Sequence, residues 1–394
     1  MTILSSKTAP ALGKLADYYT VDMPDIQIPS QLLPKDGRFG CGPSRLRPDQ
    51  MVAFSTKGTS LMGTSHRQAP IKNLVAEVQN GLLELFRAPA GYEIALGNGG
   101  ASAFWDVVAY SLAEGDSQAL VHGEFSAKFA KSLAAPFLGE LSVQKGEPGS
   151  RSDFVATSLT NTYVYPQNET STGVITPVER LAGAASGALF LTDATSAAGG
   201  MDFEASNTDV YYFSPQKNFA ADGGIWLAML SPEAVLRAEK IAASDRYIPE
   251  FLSLKAALTN SRLNQTVNTP AIATLFLLNE QVKWINESGG LKWADAKTKS
   301  SSKVLYDWAE ASGLAKPFVS NPDHRSQVVV TLEFDSSVDS VELIRVLRAN
   351  GIVDVDPYRN MGKNQLRIAT FVGTDQADVE SLTACFDFVL ERLA

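Results

Sequence analysis

The 394-residue chain is short of the residues that build metal sites and disulfide frameworks: it has two cysteines and three histidines. Cys41 and Cys385 lie at opposite ends of the sequence, and two thiols in so long a chain point to reduced cysteines of the cytoplasm. His66, His122 and His324 show no metal-ligand spacing, so no metal is expected. No apolar run approaches a membrane span, and the N-terminus lacks the charged-then-apolar pattern of a secretory signal. Basic charge is also in deficit. Lys and Arg number 34 against 43 Asp and Glu, and the net charge of -9 argues against nucleic acid or an anionic membrane as partner. No repeat or low-complexity tract is present. A cytoplasmic protein with a small-molecule partner is the expectation.

What is present is alternation. The length predicts two domains. Residues 1–38, rich in Pro, Asp, Ser and Gln, read as an arm. Apolar strands are predicted at 92–96, 119–121, 154–158, 188–192, 210–213 and 225–230, with helices at 71–86, 101–112 and 271–286. Short apolar strands with helices between them predict an α/β fold with a mostly parallel sheet, in a large domain over 39–289. Strands at 328–334 and 366–369, with helices at 338–348 and 376–393, predict a small α+β domain over 290–394.

The most informative residue is Lys217, in Ser214-Pro215-Gln216-Lys217-Asn218 between two apolar strands. Burial there lowers the pKa of an amine, as a nucleophile toward carbonyls requires. Asp193 closes the preceding strand, and an acid and a lysine at one sheet edge are the frame of a pyridoxal phosphate site. Gly97-Asn98-Gly99-Gly100-Ala101-Ser102 joins a strand to a helix, where the unpaired first N–H groups and the dipole favour a phosphate. Thr170, after Asn168-Glu169, could bond the cofactor's phenolate oxygen. Arg67, in Ser65-His66-Arg67, and Arg367 offer planar forks for carboxylate or phosphate. Each has a plain structural reading taken alone: a capping Asp, a turn lysine, a loop arginine. The conjunction favours the cofactor site.

Gly42-Pro43-Ser44, Ser65-His66-Arg67, Gly99-Gly100-Ala101-Ser102, Asn168-Glu169-Thr170, Asp193, Gln216-Lys217-Asn218, Asn268-Thr269-Pro270 and Leu366-Arg367 together resemble the phosphoserine aminotransferases, most closely their actinobacterial branch, from residue 39 to the C-terminus. The resemblance implies a type I pyridoxal-phosphate transferase fold with Lys217 as the cofactor-bonding, proton-moving lysine. It implies Asp193 on the pyridine nitrogen, Thr170 on the ring hydroxyl, and Gln216, Ala101 and Ser102 on the phosphate. Asn268 and Thr269 would reach the neighbouring subunit's cofactor phosphate, which requires a homodimer. Arg367 would clamp the α-carboxylate, and His66 and Arg67 would help hold the substrate's distal anion. The implied reaction moves the amino group of L-glutamate to 3-phosphohydroxypyruvate, giving phosphoserine and 2-oxoglutarate in serine biosynthesis. Related enzymes also handle 4-phosphohydroxythreonine, of pyridoxine biosynthesis.

Two departures stand out. The ring-stacking position, commonly tryptophan in the family, falls on Phe125. Ala101-Ser102 stands where many members carry an arginine, leaving Arg45, Arg359 and Lys363 as candidate replacement cations. Competing readings are another class V enzyme, such as serine–glyoxylate aminotransferase, or a non-enzymatic regulator on the same fold. A desulfurase-type lyase is disfavoured because neither cysteine sits in an obvious catalytic loop. A DNA-binding regulator is disfavoured because no basic helix-turn-helix stretch precedes residue 39.

Overall fold

Strands that are apolar on every residue must be covered on both faces, and they set the centre of this fold. In the computed structural model, which describes residues 26–359 and 364–393, the elements run as follows. Helices α1 (Pro48–Thr56) and α2 (Ala69–Leu85) precede β1 (Glu93–Asn98), α3 (Ala101–Ser111), β2 (Asp116–Val121), α4 (Glu124–Ser132), β3 (Leu141–Lys145) and β4 (Thr160–Pro166). A small ribbon, β5 (Asn168–Glu169) and β6 (Val174–Ile175), leads to β7 (Leu189–Asp193), β8 (Val210–Phe213) and β9 (Ile225–Leu230). Helices α5 (Pro232–Ala242), α6 (Leu254–Ser261), α7 (Ile272–Glu287) and α8 (Gly290–Ser312) follow. The chain closes with β10 (Ala315–Pro317), β11 (Val329–Phe334), α9 (Ser340–Ala349), β12 (Gln365–Ala369) and α10 (Gln376–Leu393).

The large sheet has the order β1-β9-β8-β7-β4-β2-β3. Its pairs are parallel from β3 through β8, and β9 runs antiparallel to both its neighbours. Every residue of β7, β8 and β9 is buried. One face packs on α2, α7 and the start of α8, through Leu74, Val78, Leu82, Leu278 and Leu291; the other packs on α3, α4, α5 and α6, through Phe104, Val108, Phe129 and Leu258. This is the predicted α/β architecture.

The small C-terminal layer is the antiparallel sheet β10-β11-β12 under α8, α9 and α10. Residues 26–38, read from sequence as part of an arm, are built into it, together with Phe39. The Ile28 amide donates to Asn350 Oδ1, the Leu32 carbonyl accepts from Cys385 Sγ, and Phe39 and Ile28 lie in the same core as Leu343, Leu382 and Phe386. The rest of the arm, residues 1–25, lies outside the described residues.

Two strand assignments need correction. Residues 154–158 are not a strand; they form a partly exposed loop, and β4 begins at Thr160. Phe154 makes that loop look apolar because it packs edge-on against Tyr163 and Tyr165, at 5.0 and 5.6 Å between centroids. β3 was not foreseen. As an edge strand paired only to β2 and half in solvent, it lacks the apolar run of a central strand.

Candidate active site

Parallel strands deliver their C-terminal ends to one edge of the sheet, where α/β proteins place ligands. Register puts Pro166 of β4 beside Asp193 of β7 and Asp193 beside Tyr212 of β8, and the segment after β8 carries Gln216 and Lys217 to the same edge. The turn from β1 into α3 arrives there too; Gly99, at φ +96°, takes a backbone conformation that side chains rarely adopt. These groups line one cavity of about 160 Å³, walled by Gly100, Ala101, Ser102, Trp105, Phe125, Pro166, Asn168, Thr170, Asp193, Thr195, Ser196, Gln216 and Lys217.

Lys217 is 8% exposed, and its Nζ donates to the carbonyl of Cys41. Burial lowers its pKa to about 8, Arg367 pushes the same way, and Asp193 and Glu169 pull upward. The loop 41–44 forms its wall. The Ser44 hydroxyl donates to the Lys217 carbonyl at 2.5 Å, and Gly42, at φ +135°, leaves no room for a Cβ beside the lysine side chain. Asp193 is buried, which raises its pKa. Hydrogen bonds to Oδ1 from the Thr195 amide (2.9 Å) and to Oδ2 from the Trp105 indole N–H (3.3 Å) oppose that rise. No cation of the chain pairs with it among the described residues.

Around these two, polar atoms face inward without protein partners: Gln216 Oε1 and Asn168 Oδ1 are buried and unbonded. Buried polar groups are normally satisfied, so the cavity is built for a polar ligand. Its walls fit pyridoxal phosphate: an acid for a protonated ring nitrogen, the flat face of Phe125, the Thr170 hydroxyl, and the first turn of α3 with Gln216 for a phosphate. Thr170 Oγ1 donates to Ser196 Oγ at 2.9 Å, which fixes the hydroxyl that faces the cavity.

Phe125 is held by a residue with no sequence signal. Glu169 is fully buried and has no ion-pair partner among the described residues; its carboxylate accepts from the Phe125 amide (3.3 Å), the Ser126 amide (2.9 Å) and hydroxyl (2.6 Å), and the Ser171 amide (3.1 Å) and hydroxyl (2.7 Å). A carboxylate at the first turn of α4 satisfies that helix's orphan donors and complements its dipole. Trp105 had a signal that was missed: it is four residues past Ala101 and shares its helix face.

Arg367, on β12, does not line the cavity but reaches it through Thr170, whose carbonyl accepts from its Nη1 at 2.9 Å. Its Nε is buried without a partner. His66, Arg67, Asn268 and Thr269 lie elsewhere. They form a separate cluster in which His66 Nδ1 is 3.3 Å from Thr269 Oγ1, Arg67 Nη1 donates to Gln265 at 2.9 Å, and Asn98 donates to the Thr269 carbonyl at 2.8 Å. None of the four lines the cavity.

Of the three candidate replacement cations, Arg45 is spent. Its guanidinium lies 2.7 Å from Asp378, with both side chains buried, so it ties the 41–47 loop to α10. Arg359 is exposed, and Lys363 lies outside the described residues. A second cavity of about 190 Å³, between Tyr165, Arg151 and Arg180, holds none of the predicted site residues, and its two guanidiniums face Asp153 and Asp209.

Residues 48–354 match the family model described as aminotransferase class-V. The chain is 53% identical over 370 residues to a phosphoserine aminotransferase of Nocardioides sp., covering 93% of this chain and 99% of the relative. It is 51% identical over 368 residues to one of Rhodococcus opacus, covering 93% and 98%. Among solved structures it is similar to a phosphoserine aminotransferase of Cytophaga hutchinsonii, with a TM-score of 0.82 at 21% identity over 90% of this chain and 99% of that one. A second, from Bacillus circulans subsp. alkalophilus, has a TM-score of 0.78 at 21% identity over 90% and 98%.

Proposed function

The chain belongs to the class-V aminotransferases and within them to the phosphoserine aminotransferases, and from that premise we propose that it carries an amino group from L-glutamate to 3-phosphohydroxypyruvate. Its cofactor is pyridoxal phosphate. When bound, that group supplies the electron sink through which a proton can leave an amino acid's α-carbon.

The chain's own residues do the rest. Lys217, with a pKa of about 8, is close enough to neutral to accept that proton at Nζ and return it on the cofactor side. Asp193 keeps the ring nitrogen protonated; the cation it receives there reverses the upward push of burial on its own pKa. Phe125 covers one ring face, Thr170 bonds the ring hydroxyl, and Gln216 with the α3 amides of Ala101 and Ser102 holds the phosphate. Arg367 binds the α-carboxylate through the Nε edge that has no protein partner.

His66, Arg67, Asn268 and Thr269 complete the site of a second copy. His66 and Thr269 lie 3.3 Å apart, Arg67 donates to Gln265, none of the four lines its own chain's cavity, and Tyr247, Phe251 and Leu263 are exposed in the segments that flank α6. A homodimer in which each copy lends this cluster to the other brings His66 and Arg67 to the substrate's distal anion. The working division of the chain is a large unit ending near residue 289 and a C-terminal unit that includes residues 26–38, in a cytoplasmic enzyme.

The observation that carries this reading is the meeting of Lys217 and Asp193 in one buried cavity at the N-terminus of α3. The test is a half-reaction. Enzyme loaded with glutamate is offered 3-phosphohydroxypyruvate, hydroxypyruvate and glyoxylate in turn, and the phosphorylated acceptor is expected to react fastest. Preference for either of the others overturns the substrate assignment.

A further inference from the structure

Arg367 can read a carboxylate only if its guanidinium plane is fixed before the substrate arrives. One edge is set by the bond from Nη1 to the Thr170 carbonyl. Its face is set by Tyr358, whose ring lies 5.3 Å from the guanidinium carbon. What remains is the edge bearing Nε, buried and without a partner. A planar fork with one edge bonded and one face stacked has a single edge left to offer, and that edge suits the two oxygens of a carboxylate.

Tyr358 has a second neighbour. Its ring meets that of Phe125 edge to face, at 5.5 Å between centroids and 68° between planes. The tyrosine is 9% exposed, and its segment is tied to β12 by the bond from the Arg367 amide to the Val355 carbonyl at 3.0 Å. One aromatic ring therefore touches both the wall of the cofactor cavity, which belongs to α4, and the arginine of the C-terminal sheet.

We propose that Tyr358 is a positioning residue that aims the free edge of Arg367 at the substrate's α-carboxylate and keys that aim to Phe125. Tyr358 does not itself line the cofactor cavity; it meets Phe125 of the wall and acts through the arginine. The inference rests on the assignment of Arg367 to the carboxylate. The contacts to Arg367 and Phe125 are made by the ring, while the hydroxyl bonds Lys128 of α4.

The test uses the cofactor-loaded enzyme and two readouts: the KM for glutamate, and the dissociation constant of maleate, a dicarboxylate with no amino group to transfer, measured by calorimetry. Tyr358→Leu and Tyr358→Gln are expected to weaken maleate and raise the glutamate KM by about tenfold. Tyr358→Phe is expected to stay within about twofold of wild type. Cofactor affinity, measured by equilibrium dialysis, is expected to be unchanged in all three. Unchanged maleate affinity in both ring-less variants overturns the proposal. So does a loss in Tyr358→Phe equal to theirs, or a loss of cofactor affinity that matches the loss of maleate. A wild-type enzyme that binds maleate yet forms no 2-oxoglutarate from glutamate counts against the functional reading alone.

Discussion

The cavity around Lys217 and the cluster around His66 are opposites in construction. In the first, Lys217, Asp193, Asn168 and Thr170 are all buried, and polar atoms point inward with nothing of the protein to bond. In the second, Arg67, Asn268 and Thr269 are exposed, and the bonds run between His66 and Thr269, from Arg67 to Gln265 and from Asn98 to the Thr269 carbonyl. The first is a site waiting for a molecule that fits inside one chain. The second, in the proposed homodimer, would complete the site of another copy. On that proposal chemistry and selection are separable: the proton-moving groups would belong to the single fold, and the groups for the distal anion to the assembly.

Removing the amine at the centre of the buried region is the strongest way to break the comparison. Lys217→Ala is expected to lower turnover by about 10³-fold or more while cofactor still binds, because the ring and phosphate contacts remain. Steady-state rates and dialysis of bound cofactor measure the two effects, and near-normal turnover would sink the site assignment. Asp193→Ala comes next, with turnover down by about 10²-fold and cofactor retention weakened as well. If retention survived intact, the ring nitrogen would have another partner.

The third prediction concerns the cofactor-free protein. Because the folded-state pKa of Lys217 is lowered from 10.5 to about 8, the unfolded chain binds more protons between those values, and stability rises with pH across that window. Below pH 8 the buried ammonium costs roughly 3 kcal/mol. Lys217→Met in cofactor-free form should be more stable than wild type at pH 7 in urea, and should lose its advantage by pH 10.5. A flat difference across that range would mean that the lysine is solvated. The smallest effect sharpens the other half of the comparison. Lys217→Ala and Arg67→Ala proteins, each poorly active alone, are expected to recover about a quarter of wild-type activity when mixed and allowed to exchange subunits, since half the dimers would carry one intact site. No recovery would place Arg67 in the site of its own chain.

The central strands were readable because burial on both faces leaves an unbroken apolar run, as at 188–192, 210–213 and 225–230. β3 was not, since an edge strand in solvent carries no such run, and Phe154 lent apolar character to a loop. In the site, Lys217 and Asp193 could be placed at one sheet edge from their positions at strand ends, and Gln216 only through the family resemblance. Trp105 could have been found from its helical spacing to Ala101. Glu169 and Tyr358 could not, because their partners come from other elements: α4 for one, and α4 with β12 for the other. Arg45 was misjudged as a free cation because its carboxylate, Asp378, is 333 positions away.

The built-in segment of residues 26–39 makes the C-terminal layer discontinuous in sequence. The backbone passes between the two layers twice, once through residues 39–44 and once where α7 gives way to α8. The two crossings are backed by packing, since Val328, Val329 and Phe371 lie in the same core as Leu74 and Leu278. The first attachment is the loop whose Cys41 carbonyl receives Lys217 Nζ and whose Ser44 holds the Lys217 carbonyl. Lys217 is thus bonded to one of the two crossings that join the layers, while Arg367, on β12, belongs to the C-terminal one and meets the site through the Thr170 carbonyl.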